Sequence, residues 1–192
     1  MDTSSHASLV AKWTESLKPA EVRLRLATES DSEFILRLRT DCVLAKYLSP
    51  TVADLERQKT WMRDYAKRHI AGLENYFVIE CAGVSVGTIR MYDLNLKERT
   101  FASGSWIIGR TTHPKCAIRS IMLLYDLAFL ELGFSAARFD VRRDNATVLF
   151  FHRRMGAEEI GKDEKNFYFK LTSTKYVSCA RKRLEEFHDK VS

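Results

Sequence analysis

Hydrophobic and polar positions alternate with different periods along the chain, and each change of period marks a new element. The segment VRLRLAT alternates at every second position, which predicts a first strand. Asp31–Arg39 and Asp54–Ile70 have helical character, and the second segment carries Trp61 and Tyr65 four positions apart. YFVIECA and VSVGTIRMYDL are strand-like segments on either side of the turn-prone Ala82–Gly83, so together they predict a β-hairpin.

The second half of the chain continues this succession of strands and helices. FASGSWII predicts a strand, and the polar loop RTTHPKCA separates it from a helix over Ile118–Leu132 that stops at Gly133. AARFDV predicts the next strand, and a second helix is predicted between Asn145, a good N-cap, and Gly156, a good C-terminal stop. EEIGKDEKNFYFKLT predicts a closing hairpin. Further helices are predicted near the two ends of the chain, over Ser8–Leu17 and Lys175–Val191.

The composition is that of an ordered domain. The chain has 192 residues, of which 45% are hydrophobic and 11% aromatic, enough for one full core with extensions. No apolar run is long enough to cross a bilayer, and the first residues lack the basic start, apolar centre and cleavage pattern of a secretion signal. We therefore expect a cytoplasmic protein.

The cysteines and the net charge, taken alone, exclude few classes of function. Cys42, Cys81, Cys116 and Cys179 have no paired metal-ligand spacing, so we expect reduced structural thiols and no metal site. The formal net charge of +6 attracts anions in general, including coenzyme A, nucleotide sugars and RNA, and selects none of them. Basic residues are dense around residues 138–154 but form no recognisable nucleic-acid motif, so nucleic acid is not an expected partner.

Three segments carry a family resemblance: WII, then AFLELG, then DVRRDNATVLFFHRRMGA. Their order and spacing resemble the core of the GNAT family of acyltransferases, which transfer an acyl group, usually acetyl, from coenzyme A to an amine. The resemblance extends over about Val22–Leu171 and implies a mixed α/β fold. Its largely antiparallel, twisted sheet would be flanked by helices, with the fourth and fifth strands splayed apart. The domain would cover residues 21–172, between an N-terminal extension (1–20) and a C-terminal helical extension (173–192).

One segment departs from the family pattern. The loop that binds pyrophosphate in the family normally reads Arg or Gln, two residues, Gly, one residue, then Gly or Ala. Here those three positions hold Thr112, Lys115 and Ala117, of which only Ala117 fits. Glycine lets a backbone approach phosphate closely, an advantage that Lys115 lacks.

The following helix start is expected to compensate for this departure. The amides of Cys116, Ala117 and Ile118 are expected to point at the pyrophosphate, and the charges of Lys115 and Arg119 to attract it. The alternative is that both cations are ordinary solvated charges at a helix start.

The resemblance implies further contacts with acetyl-CoA as co-substrate. Main-chain groups of Trp106, Ile107 and Ile108 would pair with the pantetheine amides. Asn145 matches the family asparagine that contacts the coenzyme, and a simple helix cap explains that residue equally well.

The resemblance also implies where proton transfer would occur. His152 stands where many members of the family have a tyrosine that protonates the departing thiolate, and histidine keeps a proton donor at this position. The alternative is a helix histidine without a chemical role. Asp93 is the preferred proton acceptor because it lies at a strand end beside the expected cleft, while Glu98 and Asp140 stay open as alternatives.

Four residues are candidates for the acceptor pocket: Tyr47, Trp61, Arg90 and Tyr92. Aromatic faces suit sugars or bases and arginine suits phosphate, although aromatic residues at such positions are more often part of a core.

The leading hypothesis is an N-acetyltransferase acting on an amino sugar, and the acceptor is expected to be nucleotide-linked and destined for surface polysaccharide. This branch is suggested by GTIRMYD together with RFDVRRDN and FHRRMGA. Two other functions stay open: acetylation of a protein N-terminus, and non-catalytic binding of acyl-CoA, which the altered loop favours. The expected partner is a small-molecule amine, with no membrane partner, and a homodimer stays open.

Overall fold

The structure, a computed structural model, describes residues 3–18, 22–110 and 112–190. Its strands are β1 (Val22–Leu26), β2 (Asn75–Cys81), β3 (Val84–Asn95), β4 (Thr100–Ile108), β5 (Ala136–Arg142), β6 (Glu158–Lys162) and β7 (Asn166–Thr172). Its helices are α1 (Thr3–Ser16), α2 (Ser32–Thr40), α3 (Leu55–Ile70), α4 (Pro114–Tyr125), α5 (Ala146–Arg154), α6 (Ser173–Lys175) and α7 (Arg181–Lys190). A 3-10 turn (Glu29–Asp31) precedes α2, and π-helical stretches continue α4 (Asp126–Glu131) and join α6 to α7 (Tyr176–Ala180).

The strands form one sheet of seven in the order β1-β2-β3-β4-β5-β7-β6. Neighbouring strands are antiparallel except β4 and β5, which are parallel. The long connection through α4 that precedes β5 allows this parallel pair. The predicted mixed α/β fold with a largely antiparallel sheet is confirmed.

The sheet is covered on both faces, and the interior strand β2 shows this directly. Phe77 and Ile79 belong to a core that includes residues of α4 and α7, whereas Tyr76 and Val78 belong to a second cluster with residues of α2 and α3. Since successive residues of a strand point to opposite faces, each face carries its own apolar layer. β2 is buried on both sides and holds the two layers together.

Local signals in the sequence correspond to the observed boundaries. Ala82 and Gly83 both have positive φ (50° and 79°), as the tight turn between β2 and β3 requires. Asp54 caps α3 by accepting a hydrogen bond from the amide of Arg57 at 3.0 Å. Asn145, the predicted N-cap, caps α5 in the same way. The predicted hairpin of β2 and β3 is also confirmed.

The terminal helices pack onto the main core. The Tyr176 hydroxyl donates to Asp126 at 2.8 Å, and Arg181 pairs with the same carboxylate at 3.0 Å, which fastens the C-terminal segment to the end of α4. Val191, predicted as the last helical residue, and the predicted domain boundary at residues 20 and 21 lie outside the described residues. Among the helices that are described, none has the length and apolarity needed to span a membrane.

Candidate active site

The central strands separate after a short contact, which opens the sheet. β4 and β5 share three register pairs, the last between Ala102 and Arg138. β4 then continues to Ile108 and β5 to Arg142 without further pairing between them. The edge of β4 over residues 103–108 that faces β5 therefore offers backbone donors and acceptors to an extended ligand.

A β-bulge lies in β4 at this fork. Ser105 and Trp106 occupy the place opposite the single residue Ile89 of β3, and Ser105 has a φ of +50°. The Thr88 hydroxyl donates to the Ser105 carbonyl at 3.2 Å and holds the distorted backbone. Such a conformation is costly for a non-glycine residue and is characteristic of functional sites.

The residues predicted to pair with pantetheine lie just beyond the bulge. The Trp106 indole donates to the Ser120 hydroxyl at 3.2 Å and packs 5.7 Å from the Phe151 ring, so its side chain ties β4 to α4 and α5. Ile107 is buried and Ile108 is half-buried. Their side chains belong to the protein interior, while their backbone lies on the open edge.

Two amides of the predicted pyrophosphate loop are already bonded within the chain. The imidazole Nδ1 of His113 accepts a hydrogen bond from the Lys115 amide at 3.2 Å, and the His113 carbonyl accepts one from the Cys116 amide at 2.9 Å. Pro114, the first residue of α4, has no N–H. The Cys116 amide, predicted to point at the pyrophosphate, is therefore bonded within the chain, and a phosphate at the Lys115 amide would have to displace His113.

The remaining predicted phosphate ligands differ in exposure. The Ile118 side chain is buried in the core, so only its backbone can face a ligand. Ala117, Lys115 and Arg119 are half-buried, which leaves the two cations within reach of solvent. Their contact with a phosphate stays a prediction.

The prediction that all four cysteines are reduced is wrong for one pair. Cys81 at the end of β2 and Cys116 in the first turn of α4 form a disulfide, with their Cα atoms 6.3 Å apart. They are separated by 35 residues, and only the packing of α4 beside the sheet brings them together, so spacing in the sequence does not reveal the pair. Cys42 and Cys179 are free thiols. Within the described ranges, no three His, Cys, Asp or Glu side chains are grouped for a metal ion.

A cavity of about 550 Å³ opens at the fork, where residues of both β4 and β5 line it. Its wall comes from α2, the link between α2 and α3, the first turns of α3, and strands β2 to β5. All four predicted acceptor residues, Tyr47, Trp61, Arg90 and Tyr92, line it. The volume suits a small molecule of several rings.

Positive charge dominates this cavity. Its lining includes four arginines, Arg39, Arg57, Arg90 and Arg142. Arg39 is held by the link between α2 and α3, where it donates to the Thr51 hydroxyl at 2.8 Å. In the described part of the chain, the guanidinium groups of Arg57 and Arg142 have no hydrogen-bond or ion-pair partner. These two groups are available to an anionic ligand.

Arg90 is fixed between aromatic rings. Its guanidinium carbon lies 5.2 Å from the centre of the Trp61 ring and 4.9 Å from that of Tyr92. The buried carboxylate of Glu74 pairs with both Arg90 and Arg68. Arg90 therefore has a set orientation in the wall of the cavity, with aromatic surface on both sides.

Tyr92 reaches the fork because β4 has a glycine there. A side-chain carbon on Gly104 would lie 3.1 Å from the Tyr92 hydroxyl, closer than neighbouring groups normally allow. Burial, followed by the negative charges of Asp140 and Asp93, raises the pKa of the Tyr92 phenol above its ordinary value. Tyr92 is consequently protonated at neutral pH and can act as a hydrogen-bond donor.

His152 was predicted to be a proton donor beside the cleft. In the structure its side chain lies in the core. It is 7% exposed, and its ring lies 4.3 Å from Phe139 and 5.1 Å from Phe151, with Phe169 beyond. Burial lowers the pKa of His152 to about 3. The imidazole is neutral at physiological pH, and the side chain is absent from the cavity lining, so these observations favour a packing role.

Asp93, the preferred proton acceptor, also differs from its expected position. It occupies a bulge of β3 with a φ of +50°, it is exposed, and it is not among the residues that line the cavity. Glu98 lies in the exposed turn before β4 and is likewise outside the lining. Of the three carboxylates considered from the sequence, Asp140 is the one that lines the cavity.

Three arginines of the lining, Arg39, Arg57 and Arg142, were not singled out from the sequence. For Arg142 a signal was present on β5, where it alternates with buried Phe139 and Val141 and so shares a strand face with Asp140. No comparable signal marks Arg39 or Arg57. They line the same cavity only because α2 and α3 pack on the sheet.

Comparisons with known proteins place these features in a family. The family model for the acetyltransferase (GNAT) domain matches residues 21–158. The apo structure of FdhC, described as a nucleotide-linked sugar GNAT, is 35% identical over 83% of this chain and 90% of its own, with a TM-score of 0.76. Spermidine N-acetyltransferase from Vibrio cholerae, solved with CoA and spermine, is 19% identical over 82% of this chain and 98% of its own, with a TM-score of 0.71, a likeness of fold alone. No curated protein sequence matches the chain.

Proposed function

Because the chain belongs to the GNAT acetyltransferase family, an acyltransferase family that uses acetyl-CoA, we propose that it acetylates the amine of a nucleotide-linked amino sugar. The likeness to FdhC supports this acceptor class, since the two chains share 35% identity over most of their lengths. We further propose that the protein acts in the cytoplasm and that its product serves surface polysaccharide synthesis.

The residues at the fork fit acetyl-CoA. Acetyl-CoA supplies the acetyl group activated as a thioester. The open edge of β4 over residues 103–108 offers the backbone hydrogen bonds that an extended pantetheine requires. Asn145 stays a candidate contact in addition to its role as cap, and Lys115 and Arg119 supply positive charge near the start of α4. The amides bonded to His113 make this a less complete phosphate site than the family pattern implies.

The observation that carries the proposal is the composition of the acceptor cavity. It contains four arginines, two of them without a partner among the described residues, beside the rings of Trp61, Tyr76 and Tyr92. Guanidinium groups bind phosphate oxygens in bidentate geometry, and aromatic faces pack against sugar rings and bases. A diphosphate linked to a base and a sugar combines these chemical groups.

The same cavity argues against a polyamine acceptor. Spermidine carries several positive charges and needs a negative pocket. Here two carboxylates, Asp54 and Asp140, stand against four guanidinium groups, and Asp54 already caps α3. The net positive field therefore repels polycations and attracts nucleotide diphosphates.

Release of free thiol from acetyl-CoA tests this assignment with a panel of amines. The panel contains nucleotide-linked amino sugars, spermidine and a peptide with a free N-terminus. We expect turnover with at least one nucleotide-linked amino sugar and rates for the other two classes lower by at least about hundredfold. Turnover of the peptide or of spermidine alone would contradict the proposal, and acetyl-CoA binding without turnover of any amine would favour a non-catalytic acyl-CoA-binding protein.

A further inference from the structure

One carboxylate in the acceptor cavity has no structural role. Of the two acidic residues in its lining, Asp54 accepts the hydrogen bond that caps α3. The Asp140 carboxylate makes no hydrogen bond or ion pair with any described residue, and the residue is exposed and lines the cavity. A carboxylate left unpaired among arginines needs an explanation, since pairing with Arg142 on the same strand face would be the simplest arrangement.

The position of Asp140 relates it to the acyl donor site. Arg138 is the last residue of β5 that pairs with β4, through Ala102. Asp140 follows two residues later on the same face, and Gly104 follows Ala102 at the same interval on β4. Both Asp140 and Gly104 line the cavity at the point where the strands diverge. The carboxylate is thus at the junction between the open edge of β4 and the acceptor cavity.

We propose that Asp140 binds the acceptor nitrogen and takes the proton that this nitrogen loses during acetyl transfer. The inference rests on the proposed acetylation of an amine and holds whichever amine is accepted. A cavity with four arginines disfavours a bound ammonium group, and Asp140 is the free negative charge that can receive the amino end of the acceptor there. The arginines would hold the anionic end.

The proton and electron balance is complete with this assignment. The neutral amine nitrogen forms a bond to the acetyl carbonyl carbon and gives one proton to the Asp140 carboxylate. The carbon–sulfur bond breaks, its electron pair leaves with the sulfur, and the proton passes from Asp140 through solvent to that sulfur. The products are an amide and a thiol, and Asp140 returns to the carboxylate form.

The other candidates are less suited to this role. Tyr92 lies at the fork, but burial raises the pKa of its phenol, so it keeps its proton at neutral pH. His152 is enclosed by aromatic rings, and Asp93 is outside the cavity lining. Asp140 alone among these is a carboxylate that lines the cavity and has no side-chain partner among the described residues.

Kinetics of Asp140→Asn, a change that keeps size and removes the charge, test the proposal. With an amine that the wild type acetylates, we expect kcat/KM for the amine to fall by about hundredfold or more and Kd for acetyl-CoA to stay within about twofold. Asp144→Asn, an exposed carboxylate in the following loop, is the matched control and should change neither value. Retention of wild-type kcat/KM in Asp140→Asn, or an equal loss in Asp93→Asn, would overturn the assignment.

Chemical rescue separates proton transfer from a merely structural effect. Asp140→Ala leaves a space open to solvent, so added formate should restore activity severalfold in this variant and leave the wild type unchanged. Loss of activity that formate does not relieve would overturn the role of proton acceptor. A wild type inactive with every amine would overturn the proposed function and this inference together, whereas an active wild type with an equally active Asp140→Asn would overturn only the inference.

Discussion

The donor side and the acceptor side of the fork are built from different parts of the chain. On the donor side, the open edge of β4 and the start of α4 present mainly backbone, and His113 and Pro114 already occupy or remove some of its donors. On the acceptor side, side chains from two helices, a link and four strands enclose a cavity rich in arginine and aromatic rings. The donor site thus depends on strand geometry, and the acceptor site on side-chain chemistry.

Because of this difference, the fold of the protein does not by itself determine which acceptor it binds. A chain with 19% identity, the spermidine N-acetyltransferase, has the same fold. The fork alone is therefore compatible with several acceptors, and the arginines of the cavity must distinguish between them. Substitutions on the two sides should accordingly affect the two substrates independently.

The largest expected effect concerns His152, which the family resemblance assigned to the donor side. In the folded protein burial lowers its pKa to about 3, whereas the unfolded chain binds a proton near the ordinary value of 6.5. Protons therefore favour the unfolded state between these values, and the stability from this group, present above pH 6.5, is lost as the pH falls towards 3. The loss amounts to about 5 kcal/mol at most.

Urea unfolding of wild type and His152→Phe at several pH values measures this effect. The Phe variant should lose less stability on acidification and, because the ring serves packing, should keep single-turnover rates within about threefold. If His152→Phe is stably folded but its single-turnover rate is about hundredfold lower, His152 would instead be the proton donor to the departing thiolate.

The next largest effect is expected from the cavity arginines, and it should change the binding of the acceptor without changing that of acetyl-CoA. In the double variant Arg57→Ala/Arg142→Ala we expect KM for a nucleotide-linked amino sugar to rise by about hundredfold, since hydrogen bonds to charged groups contribute about 1.5 kcal/mol or more each. The Kd of acetyl-CoA, measured by calorimetry, should not change.

Arg37→Ala/Arg153→Ala is the matched control, because it removes the same charge from exposed positions outside the cavity. An equal rise in KM for both double variants would mean that net charge attracts the acceptor and that the cavity arginines do not bind it directly.

The smallest expected effect is on the donor side. If Lys115 attracts the pyrophosphate, Lys115→Gly should weaken acetyl-CoA binding about three- to tenfold at low ionic strength, and the difference should fade with added salt. Lys97→Gly, in the exposed turn before β4, provides the control. Unchanged or tighter binding in Lys115→Gly would mean that the lysine only obstructs the loop.

The sequence predicted the framework because the framework depends on local signals. The turn at Ala82–Gly83, where Gly83 has a positive φ, and the cap at Asn145 follow from residue type and near neighbours. His113 followed by Pro114 was also a visible helix-start signal, and its consequence for the phosphate loop was missed because the capping side chain is an imidazole.

The features of the site that the sequence did not predict depend on contacts between residues far apart in the chain, which no local pattern encodes. Burial of His152 results from the packing of α5 against Phe139 and Phe169, so alignment to a family tyrosine could not reveal it. The Cys81–Cys116 bond joins residues that only the completed sheet and α4 bring together. Arg57 and Arg142 line the same cavity, which exists only once α3 has packed on the sheet.

The ratio of kcat/KM for a nucleotide-linked amino sugar to that for the same amino sugar without the nucleotide tests the central claim most directly. Both acceptors present the same amine to the fork, so the ratio isolates what the arginine-rich cavity contributes. We predict a ratio of at least about hundredfold, the size expected from two charge-assisted contacts with a diphosphate. A ratio near one would contradict the account, because the cavity would then not recognise the nucleotide.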